Sequence, residues 1–357
     1  MYALLFADAG LTAAQISTLF VLWSVVSFVF EVPSGAWADT WSRRRLYAIG
    51  AFLTAAGYAS WTFWPAYAGF AVGFVLWGLG GALCSGTLEA LLYDEVGDGE
   101  TYARVAGRGG TAAILAMLAA TVLASPAFAL GGYLLVGLGS VAVRAAGGMV
   151  ALGLPETRVT PEEEADESYL ATLRAGLGEV RGSSRVAWAV AIAALVPGFT
   201  ALDEYLPLLS RAAGASTAVV PLIFALPSLA MAIGSALAGR WAAVSPGRLA
   251  AALITASLLL AGGALSGRLA GMVPIAVAFG ILQFAIIVTE TRLQVSIGSG
   301  SRATVLSVAG FASEVFAVLL YAAFGAGSAF AGVPTIFAFC GLPLLLTALA
   351  IGRRLPR

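Results

Sequence analysis

The chain contains no lysine and no histidine, and all nineteen of its basic residues are arginines. Without histidine, no side chain titrates between pH 5 and 8 at its unperturbed value, so a proton-coupled step near neutrality falls to carboxylates. The two cysteines, Cys84 and Cys340, lie inside apolar runs; neither has metal-ligand spacing, and a structural disulfide between them is not expected. Net charge is zero and no basic cluster extends beyond Arg43–Arg45, which argues against a nucleic-acid partner. No phosphate loop and no nucleophile motif is present, so neither an enzyme activity nor a cofactor or metal site is expected. Met1–Phe6 is too short and lacks the basic start of a secretory signal.

What the chain has instead is apolar surface. Hydrophobic residues make up 60% and charged residues 11%, against roughly 25% charged in a soluble domain. Spans are expected near 13–38, 46–64, 67–93, 109–130, 132–154, 186–209, 218–240, 248–266, 270–295, 303–326 and 333–352. These eleven meet or approach the ~20 residues that cross hydrocarbon, and a stub at Met1–Phe6 precedes them.

The arginines test that order. Alternate loops collect Arg43–Arg45, Arg104, Arg108, Arg158, Arg174, Arg181, Arg185, Arg240, Arg248, Arg302, Arg353, Arg354 and Arg357 on one side. Only Arg211 and Arg268 fall on the other, while Arg144 and Arg292 lie within spans. The positive-inside rule assigns the crowded side, and with it the C-terminus, to the cytoplasm. Residues 155–185 form the single long polar break. There Thr160-Pro161-Glu162-Glu163 reads as a helix start, and Leu170, Leu173, Leu177 and Val180 recur at helical spacing. A short amphipathic helix on the membrane and a plain solvated linker are both compatible with that pattern.

Gly35-Ala36-Trp37-Ala38-Asp39-Thr40-Trp41-Ser42-Arg43-Arg44-Arg45 stands in the first polar loop. It resembles the G-x-L-A-D-R-x-G-R-R/K signature of the major facilitator superfamily, matching at Gly35, Ala38, Asp39, Arg43 and Arg44. Thr40 and Ser42 depart from it. Glu31-Val32-Pro33-Ser34-Gly35, and the run from Ser85-Gly86 through Glu89 to Tyr93-Asp94, resemble the E-x-P-S-G and S-G-x-x-E-A-L-L-Y-D patterns of a bacterial branch of that superfamily. Leu154-Pro155-Glu156-Thr157 resembles the usual end of its first half.

The resemblance implies an all-α polytopic bundle of two six-helix pseudo-symmetric halves in a bacterial inner membrane, with helix 1 largely missing here. Met1–Phe6 is then the tail of helix 1, and a start further upstream is expected. The halves are 1–154 and 186–357, joined by the 155–185 loop. The implied activity is secondary transport of a small molecule by a monomer through alternating access, with Gly35, Asp39, Arg43 and Arg44 as its conformational motif. Efflux of organic compounds with the proton as coupling ion is the leading expectation. An importer or facilitator of a small polar metabolite, and a truncated relative that transports nothing, remain as alternatives. An arginine usual early in helix 4 of drug/proton antiporters is replaced by Trp77.

Intramembrane charge marks the candidate residues, because an ion in lipid is costly and rarely persists without a role. Glu31 ends a stripe with Ser24, Ser27 and Ser34. Glu89 and Asp94 close the third full span, and Asp94 is expected near the interface. Asp203 and Glu204 follow Pro197, where a kink is expected. Gln283, Glu290 and Gln294 fall on one helical face, with Arg292 on another. Glu314 and Arg144 are mid-span, and Arg144 is expected to need a carboxylate partner. For each acid, a structural ion pair or helix cap competes with a coupling role. For Trp23 and Trp77 packing is the leading expectation, with stacking on a substrate as the alternative.

Overall fold

A computed structural model describes residues 1–96, 99–157, 184–241, 243–296 and 302–354. The amphipathic-helix expectation rests on residues 158–183 and lies outside this set, as does the side chain of Asp39. The described residues are helical, with no strand among them, and the chain divides into two compact units, Met1–Asp166 and Glu167–Arg357.

Unit 1 holds α1 (Tyr2–Asp8), α2 (Ala13–Thr40), α3 (Arg43–Phe63), α4 (Tyr67–Cys84), α5 (Thr87–Val96) and α6 (Gly99–Leu152). Starts are set by capping: the Thr12 hydroxyl accepts the Gln15 N–H at 3.3 Å while Gln15 Oε1 accepts the Thr12 N–H at 2.9 Å. Ser42 caps α3 by accepting the Arg45 N–H at 3.2 Å. Among the described residues, nine helices are long and apolar enough to cross a membrane. Two features separate nine from the expected eleven. Tyrosine, threonine, serine, tryptophan and glycine dilute the apolar character of α3 even beyond its opening arginines. A straight α6 of 54 residues would reach about 80 Å, more than twice the hydrocarbon thickness. It therefore holds two spans, divided where Gly132 takes φ 58° and ψ −153°, a conformation closed to residues with a Cβ.

Packing in unit 1 is set by small residues. Gly50 and Gly57 share a face of α3, and a Cβ added there would lie 2.6 and 2.7 Å from the carbonyl oxygens of Gly80 and Gly73 on α4. Such close backbones gain van der Waals contact where lipid supplies no hydrophobic drive. The second span of α6 runs antiparallel to α3, with Gly137 against Thr62 and Gly148 against Phe52.

Unit 2 holds α7 (Ser184–Gly198), a 3-10 segment Phe199–Tyr205, α8 (Leu206–Ala212), α9 (Val220–Arg240), α10 (Pro246–Leu265), a 3-10 turn Leu269–Gly271, α11 (Met272–Ser296), α12 (Arg302–Gly327), α13 (Val333–Gly341) and α14 (Pro343–Arg354). Val186, Ala189, Val190 and Ala193 make one face of α7 and pack with Leu293 of α11 and Val305, Val308 and Ala309 of α12. A Cβ on Gly234 of α9 would sit 2.1 Å from the Gly280 carbonyl oxygen of α11. The disturbance expected at Pro197 takes the form of a change to 3-10 geometry after Gly198. Proline removes the N–H that would continue the helical ladder, and the Thr200 hydroxyl instead donates to the Pro197 carbonyl at 2.7 Å.

Candidate functional site

The charged loop residues of unit 1 form a clasp. Arg43 Nη1 pairs with Asp94 at the end of α5, and its Nε donates to the Ala38 carbonyl at 3.3 Å. Arg44 Nη1 donates to the Leu154 carbonyl at 3.0 Å, its N–H donates to Glu156 Oε1 at 3.3 Å, and its Nε lies 3.8 Å from Glu156 Oε2. The Ser42 hydroxyl donates to the same carboxylate, and Glu95 accepts both the N–H and the hydroxyl of Thr157. The start of α3, the end of α5 and the stretch after α6 are thereby joined. Burial acts most strongly on Glu156 and opposes its charge. The Ser42 hydroxyl, the N–H groups of Arg44 and Arg43, and the Arg44 charge together outweigh it and hold Glu156 below the usual glutamate value. Asp94 thus belongs to this clasp through its pair with Arg43. Sequence reading missed Glu95 and the pairing of Ser42 with Glu156.

Above the clasp, α4 breaks into α5 at Ser85 and at Gly86, whose φ is +66°. The Ser85 hydroxyl donates to Glu31 Oε1 at 2.7 Å, so Glu31 ties α2 to this break. On the serine stripe, Ser24 and Ser34 are buried while Glu31 is exposed. Glu89 is exposed on α5, and a Cβ built on Gly35 meets nothing within 4 Å.

A dense aromatic cluster fills unit 1 at the other end of the same helices. Tyr2 and Phe6 of α1 insert among Phe20 and Trp23 of α2, Trp61 of α3, and Phe70, Phe74 and Trp77 of α4. Trp23 and Trp77 stack at 4.9 Å with planes 13° apart, and Tyr58 meets Trp77 edge-on at 6.0 Å. Both tryptophans pack as expected, yet remain half-buried. Arg144, on the second span of α6, corrects an expectation. No carboxylate pairs with it among the described residues; its Nη2 makes a 3.4 Å contact to Thr54 Oγ1, and its Nε is buried without a hydrogen bond. Its electrostatic neighbours are Tyr47, Tyr58 and Cys84.

In unit 2 the 3-10 segment presents Asp203 and Glu204, both half-buried. The Asp203 carboxylate accepts the Glu204 N–H, and both acids lie within electrostatic reach of Tyr321, together with Tyr205 and Glu314. Glu314 and Tyr321 are seven residues, or two turns, apart on α12. Tyr205 is fully buried and stacks on Phe324 at 3.6 Å and 11°, which fixes the backbone next to the acids. Asp203 and Glu204, expected together, and Glu314, expected on another helix, thus act electrostatically on one tyrosine, Glu314 from an exposed position. Gln283, Glu290 and Gln294 share a face of α11 turned from the core, Gln283 half-buried and the other two exposed. Arg292 points elsewhere and donates to the Val244 carbonyl between α9 and α10. No group of residues able to hold a metal ion occurs among the described residues.

Membrane-length helices in both units mark a polytopic membrane protein, and its family is one of transporters rather than enzymes. The family profile of the Major Facilitator Superfamily matches residues 1–319, and the chain belongs to that superfamily. No curated protein sequence matches it. Solved structures share its fold. The nucleoside transporter NupG is 14% identical with a TM-score of 0.76, covering 98% of this chain and 92% of its own. A D-xylose-proton symporter is 16% identical with a TM-score of 0.70, covering 98% and 90%. An auto-inhibited POT family peptide transporter is 15% identical with a TM-score of 0.72, covering 97% and 89%.

Proposed function

We propose that the chain is a proton-coupled secondary transporter of a bacterial inner membrane, which exports small organic compounds by alternating access and works as a monomer with its C-terminus in the cytoplasm. The observation that carries this reading is that Asp203 and Glu204 lie half-buried in an apolar unit, where they and the exposed Glu314 all act electrostatically on the buried Tyr321. In a chain without histidine these are the groups placed to take up and release a proton. Adding a proton removes a charge whose presence in lipid costs several kcal/mol. The proton state of Asp203 and Glu204 therefore sets the relative energy of conformations that bury them to different extents. The clasp of Ser42, Arg43 and Arg44 with Asp94 and Glu156 is the part that holds unit 1 as one body while the units move. The half-buried aromatic rings favour amphipathic solutes, and the arginine distribution supports the cytoplasmic assignment.

A second reading is proton-driven import of a small polar metabolite, favoured by the fold shared with the D-xylose-proton symporter. Proteoliposomes separate the two. Export by antiport predicts accumulation of an amphipathic organic solute when the lumen is acid. Accumulation only when the outside is acid would establish symport, and counterflow indifferent to the gradient would overturn proton coupling.

A further inference from the structure

Of the three arginines that open α3, the clasp takes up Arg43 and Arg44 and leaves Arg45. The Arg45 side chain is exposed and forms no ion pair among the described residues. An apolar groove of about 260 Å³ lies next to it, lined by Trp37, Trp41, Leu46, Ile49 and Leu83. Arg45 directly precedes Leu46 and stands one turn before Ile49, about 40° from it around the helix, so it sits at the rim.

The fold builds this groove where α2 turns into α3 over the end of α4. Gly50 brings α3 so close to α4 that an added Cβ would lie 3.2 Å from the Leu83 Cβ, and the buried Leu46 and Leu83 make the floor. Trp37 and Trp41, four residues apart at the end of α2, are 50% and 46% exposed, and Ile49 on α3 is 36% exposed. The lining presents no polar surface. The groove is independent of where the chain begins. The α4 rings that α1 covers, Phe70, Phe74 and Trp77, stand about 120 to 180° around α4 from Leu83, so a longer α1 would continue along another face.

Exposed tryptophans beside arginines, at the end of membrane-spanning helices, mark the level of the lipid headgroups. An apolar groove at that level, with an unpaired guanidinium at its rim, complements a molecule that joins a hydrocarbon chain to a phosphate. We propose that the groove seats an acyl chain of an anionic phospholipid, with the lipid phosphate on Arg45. The site is separate from the transport reading and stands for either direction of transport.

The test follows tryptophan fluorescence of the full chain in phosphatidylcholine nanodiscs. The discs carry a rising fraction of lipid brominated on its acyl chains, either phosphatidylglycerol or phosphatidylcholine. Bromine quenches the indoles it touches. The site predicts that brominated phosphatidylglycerol reaches half-maximal quenching at about one-fifth of the fraction that brominated phosphatidylcholine needs, the preference a single arginine confers at an anionic surface. Trp37→Phe/Trp41→Phe should remove this excess quenching, and Arg45→Gln should abolish the preference. Arg248→Gln should leave it intact, since that exposed arginine lies in unit 2 at the start of α10. Equal quenching by the two lipids in the parent chain overturns the assignment and leaves the groove to a neutral lipid or a protein partner; that comparison does not depend on a variant folding. A preference that survives Arg45→Gln, or that Arg248→Gln lowers as much, shows diffuse attraction and overturns it as well.

Discussion

Unit 1 keeps Arg144 half-buried in its helical packing and ties its loop arginines Arg43 and Arg44 to carboxylates at one end, whereas unit 2 keeps Asp203 and Glu204 half-buried and sends Arg292 to a backbone carbonyl. The difference extends to aromatic rings. In unit 1 they gather in one cluster spread over four helices; in unit 2 the tightest stack, Tyr205 on Phe324, fixes the backbone beside Asp203 and Glu204. One unit thus holds a cation and a cluster of aromatic rings, and the other holds acids beside a buried tyrosine. Interior charge is expensive in either unit.

Both units rest on glycine crossings, and these set the largest expected effects. Gly234→Leu forces a side chain against the Gly280 carbonyl, and Gly50→Leu does the same against Gly80. Each should cost about 3 kcal/mol or more, since overpacking is compounded by a backbone obstacle that cannot turn away. Thermal unfolding of the detergent-purified chain checks this. If Gly234→Leu lowers the midpoint and Gly50→Leu does not, the glycine account fails for unit 1.

The clasp should respond to pH. Glu156 is held below its ordinary value by the partners around it. Its contribution is therefore complete above the usual glutamate range and is lost as pH falls through the lower, folded value. Ser42→Ala should cost about 1 kcal/mol at neutral pH. The stability gap between the parent chain and Glu156→Gln should close only in acid below the normal glutamate range, as followed by unfolding across a pH series. A gap already closed in the ordinary glutamate range would show that the clasp does not hold this carboxylate charged. The smallest effect belongs to Arg43 with Asp94, a partly exposed pair. A double-mutant cycle should return under about 1 kcal/mol, reduced further by salt.

The helices were legible because runs of apolar residues and alternating arginines are local and additive signals. The division of α6 near Gly131 and Gly132 was legible too, since the boundary between the expected spans falls there. The break at Ser85 and Gly86 was not, because apolar residues continue through it on both sides and the expected span ran on to 93. Ser42 looked like a departure from the family signature, yet it both caps α3 and donates to Glu156, a residue 114 positions away. No periodicity encodes a partner at that distance. Arg144 shows the same limit: its place within a span was legible from its run, but among the described residues no carboxylate pairs with it. Asp203, Glu204 and Glu314 were each visible as acids within apolar runs, whereas their common electrostatic effect on Tyr321 depends on how α12 packs against the 3-10 segment.

The most direct test of the central claim compares two fluxes in proteoliposomes for the parent chain and for Asp203→Asn/Glu204→Gln. Solute counterflow without a pH gradient reports movement of the units, and uptake driven by a pH gradient reports coupling. The account predicts that the double variant keeps counterflow within about twofold and loses gradient-driven uptake at least about tenfold, a cost above 1.4 kcal/mol in coupling. Gradient-driven uptake that survives both substitutions would contradict it.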